Sequence, residues 1–282
     1  MLNRQLMLVA LICLITPWVH ADVAPQRIAS VNLCTDQYLL LLAAPGTIAT
    51  ITWLSHDPES AYYYERALAI PVNHGEAEEI VAHTPDLVLA GVYSARSTTH
   101  LLQQLGYRVE LFDHPRSIEQ VREQLRRMGD LIGRGEKAEQ VIHAMDERLR
   151  HVATQPEADA PTLMQYAPGG YTVGRMSLVG DIIHHAGWRN PAEDAGIEQL
   201  GIVDLETLLV IAPLALIDSP LAPGSYSFAE QMLKHPVLKK TTRPKFTVTV
   251  ERNLWICGGP MVVDALIELR RARKTIEAEY RL

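Results

Sequence analysis

The stretch Glu78–Gly91, EEIVAHTPDLVLAG, recurs in outline at Glu206–Ser219 as ETLLVIAPLALIDS. Each copy starts with a glutamate, runs through a helical pattern, meets a proline (Pro85, Pro213) at the same offset and continues as an apolar run. Proline lacks a backbone N–H and its ring collides with the preceding turn, so each copy predicts a short helix, a stop and a strand. A helix feeding an apolar strand is the unit from which a parallel sheet covered by helices is built. Its use once in each half predicts two lobes of similar architecture.

Outward from the first copy, RIASVNL (27–33), IATITWL (48–54) and RVELFD (108–113) read as strands, and CTDQYLLLLA (34–43), SHDPESAYYYERALA (55–69) and STTHLLQQLG (97–106) as helices. Around the second copy, TLMQYAP (162–168) and KFTVTV (245–250) are strand patterns. MSLVGDIIHHAG (176–187), FAEQMLKHPVL (228–238) and the last stretch, 261–280, are helical. Between the two sets lie 39 residues, Ser117–Gln155, with helical periodicity and no strand candidate. Gly133 and Gly135 divide them, and Ala138, Val141, Ile142, Met145 and Leu149 share one face of the second helix. The fold class is therefore α/β, with an N-terminal lobe over 22–132, a connecting helix within 133–156 and a C-terminal lobe over 157–282.

Residues 1–21 carry Arg4, an apolar run from Leu6 to Ile15 and Val19-His20-Ala21, the pattern of a secretory signal cleaved before Asp22. The apolar run is too short to span a bilayer, and Cys13 follows Leu11-Ile12 rather than the small residue a lipidation site requires. Export permits a disulfide between Cys34 and Cys257, but two residues so far apart offer no spacing signal, and an inert buried thiol at each position is the simpler reading. The formal net charge of -7, without a basic stripe, argues against nucleic acid as partner. No G-x-S-x-G, P-loop, G-x-G-x-x-G or C-x-x-C occurs, so no motif supports an enzyme.

Ligands of open α/β sheets bind beyond the carboxyl ends of the strands. That rule selects Asn32, Cys34 and Thr35; Trp53 and His56; Tyr93 and Arg96; and His114 in the first lobe. In the second it selects Tyr166, Tyr171 and Arg175; Asp218; and Arg252 and Trp255. Aromatic and arginine side chains recur among them, which suits a bulky, partly conjugated, anionic ligand. His56 and His114 could instead converge with Asp113 or Asp218 on a bare zinc or manganese ion, although no H-x-H or H-E-x-x-H is present. APGGYTVG (167–174) lacks the pattern of a phosphate cradle and reads as a hairpin-like turn.

Taken together, RIASVNLCTDQYLLLLA, EEIVAHTPDLVLAGVYS, LLQQLGYRVELFD, the bridging helix, SLVGDIIHHAGWRN, GIVDLETLLVIAP and GGPMVVDALIEL resemble, in order and over nearly the whole mature chain, the periplasmic binding proteins for iron-siderophores and cobalamin. The resemblance implies two Rossmann-like lobes, a ligand cleft between them, a metal chelate as ligand with haem as an alternative, no cofactor, and delivery by a monomer to the transmembrane subunits of an ABC importer. It also implies a role for Glu78 and Glu206, one per lobe, as contacts for arginine pockets of those subunits. Read from the residues alone, each is equally a carboxylate placed favourably at a helix N-terminus.

Overall fold

A computed structural model describes residues 24–218 and 245–280. The expected leader over 1–21 and helix over 228–238 lie outside the described residues.

The first lobe is built on five parallel strands, β1 (Ile28–Ser30), β2 (Ile48–Thr52), β3 (Val72–Asn73), β4 (Leu87–Gly91) and β5 (Val109–Phe112), in the order β3-β2-β1-β4-β5. Helices α1 (Leu33–Leu42), α2 (Tyr64–Ala67), α3 (Ala77–Ala82) and α4 (Arg96–Gln104) connect them. The chain moves outward from β1 to β3, then resumes on the other side of β1, so the strand order reverses between β1 and β4. Every residue of β4 is buried, which explains its unbroken apolar spelling.

The 39-residue helical stretch forms α5 (Ile118–Leu131) and α6 (Gly135–Val152), separated by Gly133 at φ 67°. Ala138, Ile142, Met145 and Leu149 are buried on α6, and Val141 is partly so. Arg122 with Asp146, at 2.7 Å, and Arg126 with Glu139, also at 2.7 Å, tie the two helices together on their outer side.

In the second lobe β6 (Leu163–Gln165), β9 (Ala215–Asp218) and β10 (Phe246–Thr249) form a parallel set in the order β10-β9-β6 among the described residues. An antiparallel pair, β7 (Tyr171–Val173) and β8 (Leu200–Ile202), stands beside it. Helices α7 (Leu178–His185), α8 (Leu205–Ile211) and α9 (Val262–Tyr280) are the lobe's helices among the described residues. Trp188 is fully buried and donates from Nε1 to Leu269 O of α9 at 2.9 Å.

The repeated sentence is a repeated structure. Glu78 and Glu206 are each the second residue of their helix, α3 and α8, and β4 and β9 each pair on both sides within their sheets. The residue before each proline, Thr84 and Ala212, is left-handed with φ 46° in both copies. Proline disfavours the right-handed helical region for its predecessor, so neither helix continues past that residue.

One apolar cluster runs without interruption from Ile28 of β1 through α5 and α6 to Ile276 of α9. Four polar or covalent links reinforce it across the lobes. Asp181 of α7 accepts the backbone N–H of Ile118, capping α5 at 2.9 Å. Asn253 donates to Pro58 O at 2.9 Å, and Tyr62 donates to Asp264 of α9 at 3.1 Å. The fourth is a disulfide between Cys34 and Cys257, whose Cα atoms lie 5.0 Å apart. Of the two cysteine readings open in the sequence, this is the disulfide.

Candidate functional site at the carboxyl edges of the two sheets

Cys34 follows β1, Pro58 lies beyond β2, and Cys257 and Asn253 follow β10. The disulfide and the Asn253–Pro58 bond therefore bring the carboxyl edges of the two sheets together. Gly258 completes the seam: a Cβ there would lie 2.2 Å from Pro115, which follows β5, and 2.9 Å from Val121. Only glycine allows this approach.

The strand reversal is braced by Asn32. Its Oδ1 accepts from the N–H of Cys34 at 2.9 Å and of Thr35 at 3.2 Å, capping α1, while its Nδ2 donates to Ser94 Oγ at 3.0 Å beyond β4. Gly91 is required for that bridge, because a Cβ would come within 2.7 Å of both Asn32 Nδ2 and Ser94 Oγ. Beside the brace opens a cavity of about 190 Å³ lined by Cys34, Gly91, Tyr93, Ser94, Asp113 and His114, among others. This is the position at which doubly wound sheets take ligands.

Along the edge, the residues beyond successive strands are His74 (β3), Trp53 (β2), Cys34 (β1), Tyr93 (β4) and His114 (β5). Trp53 and Tyr93 are 49% and 72% exposed, high values for large aromatic residues. The Trp53 indole stacks on the His74 imidazole with centroids 6.4 Å apart and 25° between planes. His74 is held in turn by Glu79, whose Oε1 lies 3.1 Å from Nδ1 and whose Oε2 accepts the His74 backbone N–H at 2.6 Å. Those two bonds hold the Glu79 carboxyl below its ordinary pKa. An ionised carboxylate only accepts, so Nδ1 carries the proton and, in the neutral ring, Nε2 is the free lone pair. Desolvation lowers the pKa of His114, with the Asp113 charge opposing.

In the second lobe β7 leaves the carboxyl end of β6 through a tight turn at Pro168–Gly170, as APGGYTVG suggested. Its partner strand lies well downstream. Tyr171 pairs with Ile202 and Val173 with Leu200, so these four side chains share one face, while Thr172 turns inward and is buried. Leu200 and Ile202 are 68% and 65% exposed. The ribbon thus offers an apolar surface next to the carboxyl edge.

Several expected ligand residues have other duties. Tyr166 is buried and donates from its hydroxyl to Val203 O at 3.1 Å, and Trp255 is buried in the main core. Thr35 is buried with its hydroxyl on Asn32 O and Ser30 Oγ. The His56 ring is bonded to Ala67 O at 2.9 Å within its own lobe. Cys34 is a disulfide partner rather than a thiol, although its side chain still forms cavity wall. Arg175 lies 4.0 Å from Asp181, and Arg96 is exposed at the start of α4. Arg252 opens a 3-10 turn and is partly exposed. The side chain of Asp218 lies outside the described residues. Among the described residues no cluster of three or more His, Cys, Asp or Glu could hold a bare metal ion, and His56 and His114 do not form one. His74, Leu200 and Ile202 were absent from the expected set.

Glu78 and Glu206 are both exposed, and neither makes a hydrogen bond or ion pair among the described residues. Their neighbours Glu79 and Asp204 are occupied, by His74 and by the N–H of Thr207 at 2.7 Å.

Similarity to known proteins agrees with this architecture. The curated "Cobalamin-binding protein" of Halobacterium salinarum is 26% identical over 176 residues, which cover 61% of this chain and 48% of that protein. The chain thus spans about half the length of the curated relatives it matches. Among solved structures, a possible iron-binding, periplasmic solute-binding protein from Staphylococcus epidermidis superposes with a TM-score of 0.71 at 18% identity, covering 90% of this chain and 99% of that one. The periplasmic heme-binding protein RhuT from Roseiflexus sp. RS-1, in apo form, gives 0.70 at 19% identity, covering 88% and 99%. The family model described as periplasmic binding protein matches residues 28–243, most of the chain, and the chain belongs to that family.

Proposed function

We propose that the protein is the solute-binding subunit of an ABC importer, acting in the periplasm as a monomer, and that its cargo is a metal held in a planar macrocycle such as a haem or a corrinoid. The observation that carries this reading is the Trp53–His74–Glu79 arrangement. A carboxylate that fixes the histidine tautomer and leaves Nε2 free is the usual second shell of a metal-bound imidazole. Here it stands beside an exposed indole able to stack on a flat ring. The apolar Tyr171–Ile202 and Val173–Leu200 pairs supply a second face suited to a ring system rather than to a hydrated ion. The names of the relatives, which include cobalamin and heme binders, support the same class.

Haemin, cyanocobalamin, a ferric hydroxamate and zinc should be titrated separately while tryptophan fluorescence and the visible spectrum are followed. A macrocycle is expected to quench fluorescence with a shifted visible band, and His74→Ala to remove the band shift and weaken binding by roughly tenfold or more, as lost ligands do. Saturable binding of zinc alone would overturn the reading. So would an unchanged spectrum in the alanine variant.

Delivery follows from the two free carboxylates. Glu78 and Glu206 occupy equivalent places on the two lobes, so one rigid molecule presents two anionic contacts to the cationic sites of an importer.

A further inference from the structure

The Cys34–Cys257 disulfide joins the two lobes at the cleft itself, and its two ends differ. Cys257 is fully buried, whereas Cys34 is half-buried and forms part of the wall of the 190 Å³ cavity. Two polar links across the lobes, Asn253 to Pro58 O and Tyr62 to Asp264, are single hydrogen bonds with one partner exposed in each. The disulfide is the one covalent tie between the carboxyl edges among the described residues.

We propose that this disulfide is a redox-operated clamp: intact, it fixes the separation of the two carboxyl edges, and its reduction by a dithiol frees the seam and releases bound ligand faster. The reaction starts at the reachable sulfur. A thiolate of the dithiol attacks Cys34 Sγ, a mixed disulfide forms there, and Cys257 leaves as a thiolate that takes up a proton. The second thiol of the reductant then attacks its own sulfur in the mixed disulfide. Cys34 is released as a thiol, the reductant departs as a cyclic disulfide, and two electrons have passed to the cysteine pair. An exported dithiol oxidoreductase is the class of reductant that could do this in an oxidising compartment.

The location of Cys34 adds reciprocity. A ligand filling the cavity covers the sulfur that must be attacked, so occupancy slows reduction. If the oxidised form binds more tightly, the ligand must favour the disulfide by the same factor. This second arm rests on the cargo reading; the clamp itself does not.

The test compares the oxidised protein, the protein reduced with dithiothreitol, and the Cys34→Ser/Cys257→Ser variant by hydrogen exchange. Exchange at residues 32–35 and 252–258 should accelerate by about tenfold or more on reduction, with β4 and β9 unchanged and full reversal on reoxidation. Haemin or cyanocobalamin, whichever binds, should leave the reduced form at least about fivefold faster, and should shift the thiol–disulfide equilibrium toward the disulfide by the factor by which its equilibrium affinity falls on reduction. Unchanged exchange at the seam overturns the clamp. Uniform acceleration through both sheets also overturns it, because the bond would then be a general stabiliser. If the oxidised protein binds neither macrocycle, the cargo reading fails while the exchange experiment still decides the clamp.

Discussion

Asp36 lies in the first turn of α1 with no solvent exposure, and three donors converge on one of its oxygens. The N–H of Thr52 at 3.0 Å, the Thr52 hydroxyl at 2.7 Å and the Ser55 hydroxyl at 2.7 Å all reach Oδ2, while Oδ1 has no partner among the described residues. Burial raises its pKa from 3.8 to about 7, outweighing the hydrogen bonds that pull it down. The folded value lies above the unfolded one, so the native state keeps a proton that the unfolded chain gives up. Its contribution is full below about pH 4 and is lost as pH rises toward 7. Asparagine can offer its oxygen to the same three donors and put its NH₂ where Oδ1 lacks a partner. Asp36→Asn should match the parent near pH 4 and exceed it at pH 8 by on the order of 3 kcal/mol. Urea unfolding at the two pH values measures the gap, and an equal gap at both would refute the assignment.

At the scale of elements, the helix–proline–strand unit carries a small cost in both copies. Ala212 adopts φ 46° at the end of α8, a conformation that L-residues pay about 1–2 kcal/mol to enter and glycine does not. Ala212→Gly should therefore stabilise the protein by up to about 1 kcal/mol, a rise in Tm of roughly 2–4 °C. Calorimetry would show it, and a lower Tm would mean that the turn is unstrained. The unit was legible in the sequence because proline punctuates it, as glycine punctuates α5 and α6. Elements without punctuation or period were not. β3 is only Val72–Asn73, too short for alternation, and with it went His74, the residue beyond its end. The stretch 55–69 spelled a helix but yields only α2, because Asp57 turns the chain back by accepting from the Ser60 hydroxyl at 2.6 Å. β8 is recognisable only beside β7, a pairing across distant sequence. Tyr166 and Trp255 follow strands as expected, yet nothing local says that their rings turn into the core.

For the molecule as a whole, the proposed docking would depend on both lobes at once. The continuous cluster through α5, α6 and α9 and the links across the seam hold α3 and α8 in one frame, so lobe movement on binding should be modest. Reversing both charges, Glu78→Lys with Glu206→Lys, should leave affinity for the cargo unchanged in solution and abolish importer-dependent uptake, with each single reversal giving partial loss. Equilibrium binding and uptake assays separate the two effects. A drop in solution affinity would move the glutamates from the docking surface into the cargo site.

Residues 252–264 belong to both lobes: they supply Cys257 to Cys34, Gly258 to Pro115 and Asp264 to Tyr62. A chain emerging amino-end first already contains every strand of its first sheet long before this segment arrives. That sheet waits with one cysteine unpaired and the surface at Pro115 uncovered. The seam therefore closes only after β10 and the turn beyond it have been made, although the first sheet and the cavity at its carboxyl edge are encoded well before them.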